Sequence, residues 1–170
     1  MISNVSTRMA ALALGLFITA SVSAAGLERP QGRVILTIEG DIAHTNEEGK
    51  AVFDREMLER LTQHTTQTST PWTEGVREFT GPLGSALLEA VGASGTILKV
   101  IAINDYVVEV PVEDFYSHPV ILAMKADGDY LRVRDKGPLF IIYPFDDDSD
   151  LNSEVYYNRS SWQIARIEVK

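Results

Sequence analysis

The chain has 170 residues, with 15 lysines and arginines against 24 aspartates and glutamates, a formal charge of −9, and no cysteine. So acidic a protein repels a phosphate backbone, which excludes general nucleic-acid binding. The missing thiol excludes disulfides, a cysteine nucleophile, iron–sulfur clusters and thiolate metal ligands, so stability must come from packing.

Residues 1–24 read as a cleavable export signal. Arg8 supplies the positive charge, residues 9–20 form an apolar run short for a bilayer span, and Val22-Ser23-Ala24 offers a small-residue cleavage site. The alternative is an uncleaved membrane anchor; with no cysteine after the apolar run, a lipoprotein anchor is excluded. Cleavage after Ala24 would remove Arg8 and no acid, taking the charge from −9 to −10. The expectation is one periplasmic domain over residues 25–170.

Residues 34–40 predict a strand closed by Gly40, and residues 43–51 a polar loop. A short helix is predicted from Asp54, with Phe53 and Leu58 spaced as a hydrophobic staple around an Asp cap. Residues 62–73 hold six threonines and predict a strand running into Pro71-Trp72. Gly81-Pro82 predicts a second helix over 83–91, with Pro at its first turn and Gly92 past its end. Strands follow at 96–103, 106–111, 120–126, 139–143 and 163–169, with turns at Asn104-Asp105 and Asp127-Gly128. The class is α+β, mixed and mainly β, with short interspersed helices.

Residues 130–170 are dense in Arg, Lys, Tyr, Trp and small hydroxyl residues, as suits the wall of a site for a planar, polar ligand. The run Asp146-Asp147-Asp148 with Asp150 lacks the glycine and terminal glutamate of an EF-hand loop and reads as a solvated loop. His44, His64 and His118 have no ligand-like spacing, and no serine sits in a nucleophile elbow.

From residue 79 to 169 the order of motifs resembles the sulfite-oxidase-type molybdopterin-binding superfamily. The motifs are Gly81-Pro82-Leu83-Gly84, Ile103-Asn104-Asp105-Tyr106, Leu122-Ala123 leading to Asp127-Gly128, Gly137-Pro138-Leu139 leading to Pro144, and Trp162 before the last strand. The resemblance implies a sulfite-oxidase-like, mainly β fold. In the enzymes of that superfamily a cysteine binds molybdenum; the corresponding stretch here, about residues 65–73, holds no soft ligand. The chain is also too short for an added haem or dimerisation domain.

With that departure, the sequence is similar to the small, exported, cysteine-less branch. Trp72, Asn104-Asp105-Tyr106, the block 133–138 and the block 157–162 carry that similarity. It implies a metal-free pterin as ligand, no haem, and regulation of a membrane protein of the cyclic-di-GMP enzyme type through that protein's periplasmic domain. A molybdopterin-dependent oxidoreductase or its accessory subunit is the alternative, and a scaffold that lost its ligand a third reading.

A pterin is a flat bicycle with an amine edge and a carbonyl edge, and it needs aromatic faces, a carboxylate and donors. Trp72 would stack or pack. Asp105 would take the amine edge or simply make the turn, with Asn104 and Tyr106 beside it. Arg132, Arg134 and Lys136 alternate and would share one face of an extended segment, to hold a phosphate or carboxylate or else to pair with Asp127, Asp129 and Asp135. Arg159, Ser160, Ser161 and Trp162 complete the expected site, without a catalytic role.

Overall fold

The computed structural model describes residues 26–170, and the expected signal segment lies outside them. Three sheets and four short helices make a mixed α+β fold that is mainly sheet. Among the described residues no helix is long and apolar enough to cross a membrane.

The largest sheet has five strands: β1 (Val34–Gly40), β2 (Lys50–Asp54), β5 (Ile97–Ala102), β6 (Val107–Pro111) and β11 (Ile164–Val169). Their order is β2-β1-β11-β5-β6, and only β1 and β11 run parallel. A four-stranded antiparallel sheet joins β3 (Gln63–Ser69), β4 (Val76–Pro82), β8 (Lys125–Ala126) and β9 (Asp129–Tyr130) in that order. Between them lies a two-stranded piece, β7 (Ile121–Ala123) with β10 (Phe140–Ile142).

That strand pair explains two apolar runs without alternation. Successive side chains of a strand face opposite sides. Leu122 and Ile141 enter one buried cluster with Leu36, Leu87 and Leu98, while Ile121, Ala123, Phe140 and Ile142 enter a second with Phe79. Both faces are buried, so both must be apolar. Trp72 packs against both clusters.

The helix α1 (Arg55–Glu59) starts as its sequence predicts. The Asp54 carboxylate accepts the Met57 N–H at 2.9 Å and also the Gln31 and Gly32 N–H groups at 2.7 Å. These three bonds hold its pKa below the ordinary carboxylate value of 3.8, the Gly32 bond foremost. The stabilisation is fully present above pH 3.8 and is lost as pH falls through the lower folded value. Asp54→Ala, which leaves three donors without their acceptor, should cost about 2–3 kcal/mol in urea titrations at pH 7. The difference from wild type should shrink as pH falls below the ordinary carboxylate value and the Asp54 carboxylate takes up its proton.

Several boundaries differ from expectation. The polar loop ends early, because Lys50 and Ala51 already pair with Glu39 and Ile38 in β2. Gly81-Pro82 closes β4 and does not open a helix: Gly81 and Pro82 pair with His64 and Gln63. The helix α2 (Gly84–Val91) begins two residues later, with Leu83 at its cap position. A side chain at Gly84 would strike the Phe115 ring of α3 (Asp114–Ser117), so the helices pack there only through glycine. Gly92 ends α2 in the left-handed conformation, as its position predicts.

The strand expected over 120–126 is broken at Met124, whose N–H bonds the Thr80 carbonyl. There the chain leaves β10 and joins β4. The strand β4 itself and a helix α4 (Glu154–Arg159) stand where the sequence reading places no element. The acidic loop over 146–150 is exposed, as its sequence predicts, and Asp146 ties it to the end of β3 by accepting the Ser69 N–H and hydroxyl at 2.6 Å each.

Candidate functional site

Threonines shape the turn that carries Trp72. In β3 the even positions Thr66 and Thr68 are buried, and Thr70 beyond it continues the pattern. Thr70 Oγ1 then accepts the Trp72 N–H at 3.2 Å and is hydrogen-bonded to Thr73 Oγ1 at 2.7 Å. This side-chain turn replaces strand pairing and fixes the indole. Its centroid lies 5.6 Å from Trp162, 5.7 Å from Phe140 and 5.8 Å from Tyr157, each edge-on. Trp72 is thus the hub of an aromatic cluster, and it lines two clefts.

The first cleft, about 640 Å³, lies between the Trp72 turn, the β5–β6 turn and α4. Asn104 and Tyr106 enter from the β5–β6 turn, and Ser160, Ser161 and Trp162 from the exit of α4. Ser160 Oγ donates to the Tyr156 carbonyl at 2.8 Å. Ser161 is 4% exposed, and its hydroxyl has no hydrogen-bond partner. A buried hydroxyl without a partner costs free energy unless something arrives to satisfy it. Glu154 is the one carboxylate in this lining, and it makes no ion pair with any described residue.

The second cleft, about 850 Å³, shares Trp72 and has Phe79, Ala126, Leu131 and Phe140 beneath a charged rim. Arg134 and Lys136 line this cleft and not the first. The extended basic face expected of Arg132, Arg134 and Lys136 does not form. Residues Val133–Asp135 make a 3-10 turn, and Lys136 follows in the left-handed conformation at φ 72°. The turn brings Asp135 back to Arg132 at 2.6 Å, so pairing within the loop outcompetes an extended run. The Lys136 ammonium stands 4.1 Å over the Trp162 ring, and partial burial lowers its pKa.

Two expected site residues are elsewhere. The Arg159 guanidinium bonds both oxygens of Asp114 at 3.0 and 3.2 Å, away from the first cleft's lining. Asp114 also accepts the Tyr143 hydroxyl at 2.7 Å; burial foremost, then the Asp114 charge, pushes that phenol far above its ordinary value. Arg159 therefore fastens α4 to α3. Asp105 takes the left-handed turn position at φ 63° and lines neither cleft. Glu154 and Asn158 are lining residues that the sequence reading missed. The signal was present in Ser153-Glu154, a cap followed by an acid in the first turn.

The four described non-glycine residues with positive φ are Asp105, Asp127, Lys136 and Gln163. Each lines a cleft or adjoins a residue that does. Such conformations cost free energy and persist where surrounding bonds enforce them. Gln163 is held by its N–H to the Lys136 carbonyl at 3.1 Å and by its side chain to the Val133 carbonyl at 2.7 Å. The first lining offers aromatic rings, the Asn104 and Asn158 amides, two serine hydroxyls and one carboxylate.

Fold and site together define a mixed α+β, mainly sheet domain with two clefts that share the Trp72 ring. No protein-family model matches this chain, and no curated protein matches it.

Proposed function

We propose that this chain is an exported, non-catalytic pterin-binding protein with a sulfite-oxidase-like fold, which senses a pterin or presents it to the periplasmic domain of a membrane signalling protein of the cyclic-di-GMP enzyme type. The observation that carries the pterin reading is the first cleft itself. Trp72, Trp162 and Tyr157 offer apolar ring surface, and the partnerless Ser161 hydroxyl and the unpaired Glu154 carboxylate lie in the same wall. A pterin needs these groups: ring contacts, a hydroxyl for the carbonyl edge, and a carboxylate for the amine edge. Glu154 takes the part that the sequence reading gives to Asp105. The order of motifs from residue 79 to 169 supports the fold and the exported branch, and the partner follows from that resemblance alone.

The residues present fit a pterin better than a molybdenum centre. Among the described residues no group of three or more histidines and acids could hold a metal, and Thr70, Pro71 and Trp72 offer no soft donor. A metal could be held only through a bound cofactor's own sulfurs. The test is mass spectrometry and elemental analysis of freshly purified exported protein. The expected result is a fluorescent pterin released in proportion to protein, without molybdenum. About one molybdenum per chain would replace this reading with a molybdopterin oxidoreductase. A folded protein that neither carries nor takes up any pterin would remove it.

A further inference from the structure

The second cleft has a charge pattern that the proposed pterin site does not use. Its rim carries Arg77, Arg132, Arg134 and Lys136 against Asp127, Asp129 and Asp135. Two of these cations are already neutralised: Arg77 by Asp127 at 2.6 Å, and Arg132 by Asp135 at 2.6 Å. Arg134 reaches the same Asp135 only at 3.7 Å, while Lys136 and Asp129 make no ion pair with any described residue. What remains is one net positive charge.

Lys136 is the best placed of these cations. Its left-handed backbone is locked by the Gln163 bond, and its ammonium is laid on the Trp162 face. An ammonium that is partly desolvated and lacks a carboxylate gains more from an arriving anion than an exposed one does. Beneath it the partly buried Trp72 and Leu131 give the cleft an apolar floor, backed by the buried Phe79 and Phe140.

We infer that the second cleft is a separate binding site for a small amphipathic monoanion, an apolar or aromatic body seated on Trp72 and Leu131 with one acidic group held by Lys136 and Arg134. The single net charge selects one acid over a polyanion, since each further negative charge would face Asp129 without a free cation. The inference does not rest on the pterin reading, because Lys136 and Arg134 line the other cleft.

The test uses two fluorescent probes that share one body, anilinonaphthalenesulfonate and its neutral counterpart N-phenylnaphthylamine. The chain's two tryptophans, Trp72 and Trp162, are both at the clefts, so their quenching reports binding there. The sulfonate should bind one per chain, more weakly as salt rises, and about tenfold more tightly than the neutral probe, the scale of one charge-assisted contact. Lys136→Gln should bring the sulfonate down to the level of the neutral probe. Asp129→Asn, on an exposed rim, should tighten it about twofold, as befits one exposed charge. Equal affinity for both probes, or a sulfonate affinity indifferent to both substitutions, overturns the inference.

Discussion

Trp72→Ala is expected to cost about 2–4 kcal/mol of stability, because the ring packs against both cores, and on the proposed function to weaken pterin binding about thirtyfold. The indole makes edge contacts with Trp162, Phe140, Tyr157 and Phe145, and it packs against both buried clusters. Truncation would open a void where the clusters meet, and neighbouring rings could close it only in part. The two roles separate with Trp72→Phe. A phenyl ring keeps most of the packing and gives up part of the stacking surface. Urea titration should place Trp72→Phe within about 1.5 kcal/mol of wild type, as for a smaller ring in a partly open site. Its pterin affinity should still fall several-fold. If Trp72→Ala keeps the wild-type denaturation midpoint, the hub role is wrong; if Trp72→Phe binds pterin unchanged, the recognition role is wrong.

Asp114→Ala should cost about 2–4 kcal/mol, somewhat below the scale for a fully buried charge pair because the Arg159 side chain keeps a quarter of its surface in water. Asp114 is only 7% exposed and satisfies both Arg159 and the buried Tyr143 hydroxyl. Its loss would leave the buried Tyr143 phenol without an acceptor and the partly exposed Arg159 guanidinium without its carboxylate. Arg159→Ala should cost about 2–3 kcal/mol, since it leaves the carboxylate with Tyr143 alone. For a domain of this size the larger loss corresponds to a melting point lower by roughly 10 °C. The double variant should cost less than the sum of the two singles, a coupling of at least about 1 kcal/mol. Amide exchange should quicken through residues 154–161, where α4 forms the cleft wall. Strict additivity in calorimetry would mean that the pair is not coupled. The sequence reading gives Arg159 to the ligand; the geometry makes it the fastening of the wall that holds Ser160, Ser161 and Trp162.

What was legible in the sequence follows from the range of the forces involved. The Asp54 cap, the Gly92 stop and the strands β1, β3, β5, β6 and β11 rest on local patterns, and each stands where its residues place it. The errors arise where distant pairing overrides a local signal. Gly81-Pro82 has the look of a helix start, yet β3 draws it into a sheet. Met124 falls inside a continuous apolar run, yet two different partners divide that run. At the site, Trp72, Asn104, Tyr106, Ser160, Ser161 and Trp162 do converge on one cleft. Sequence alone could not foresee that Asp135 would fold the basic segment into a turn, or that Asp114, forty-five residues before Arg159, would claim its guanidinium.

The strand pair β7–β10 has a mechanical meaning as well as a structural one. Leu122 and Ile141 look into one core while Ile121 and Phe140 look into the other, so a single thin layer is the shared floor of both. Neither core can be dismantled without stripping a face from the other. Among the described residues this shared layer leaves no seam between the two hydrophobic clusters, which are thereby bound into one cooperative unit. Any motion that widens the clefts is then left to the rim, to the β5–β6 turn, α4 and the 132–137 loop, while the shared floor keeps the cleft walls in register.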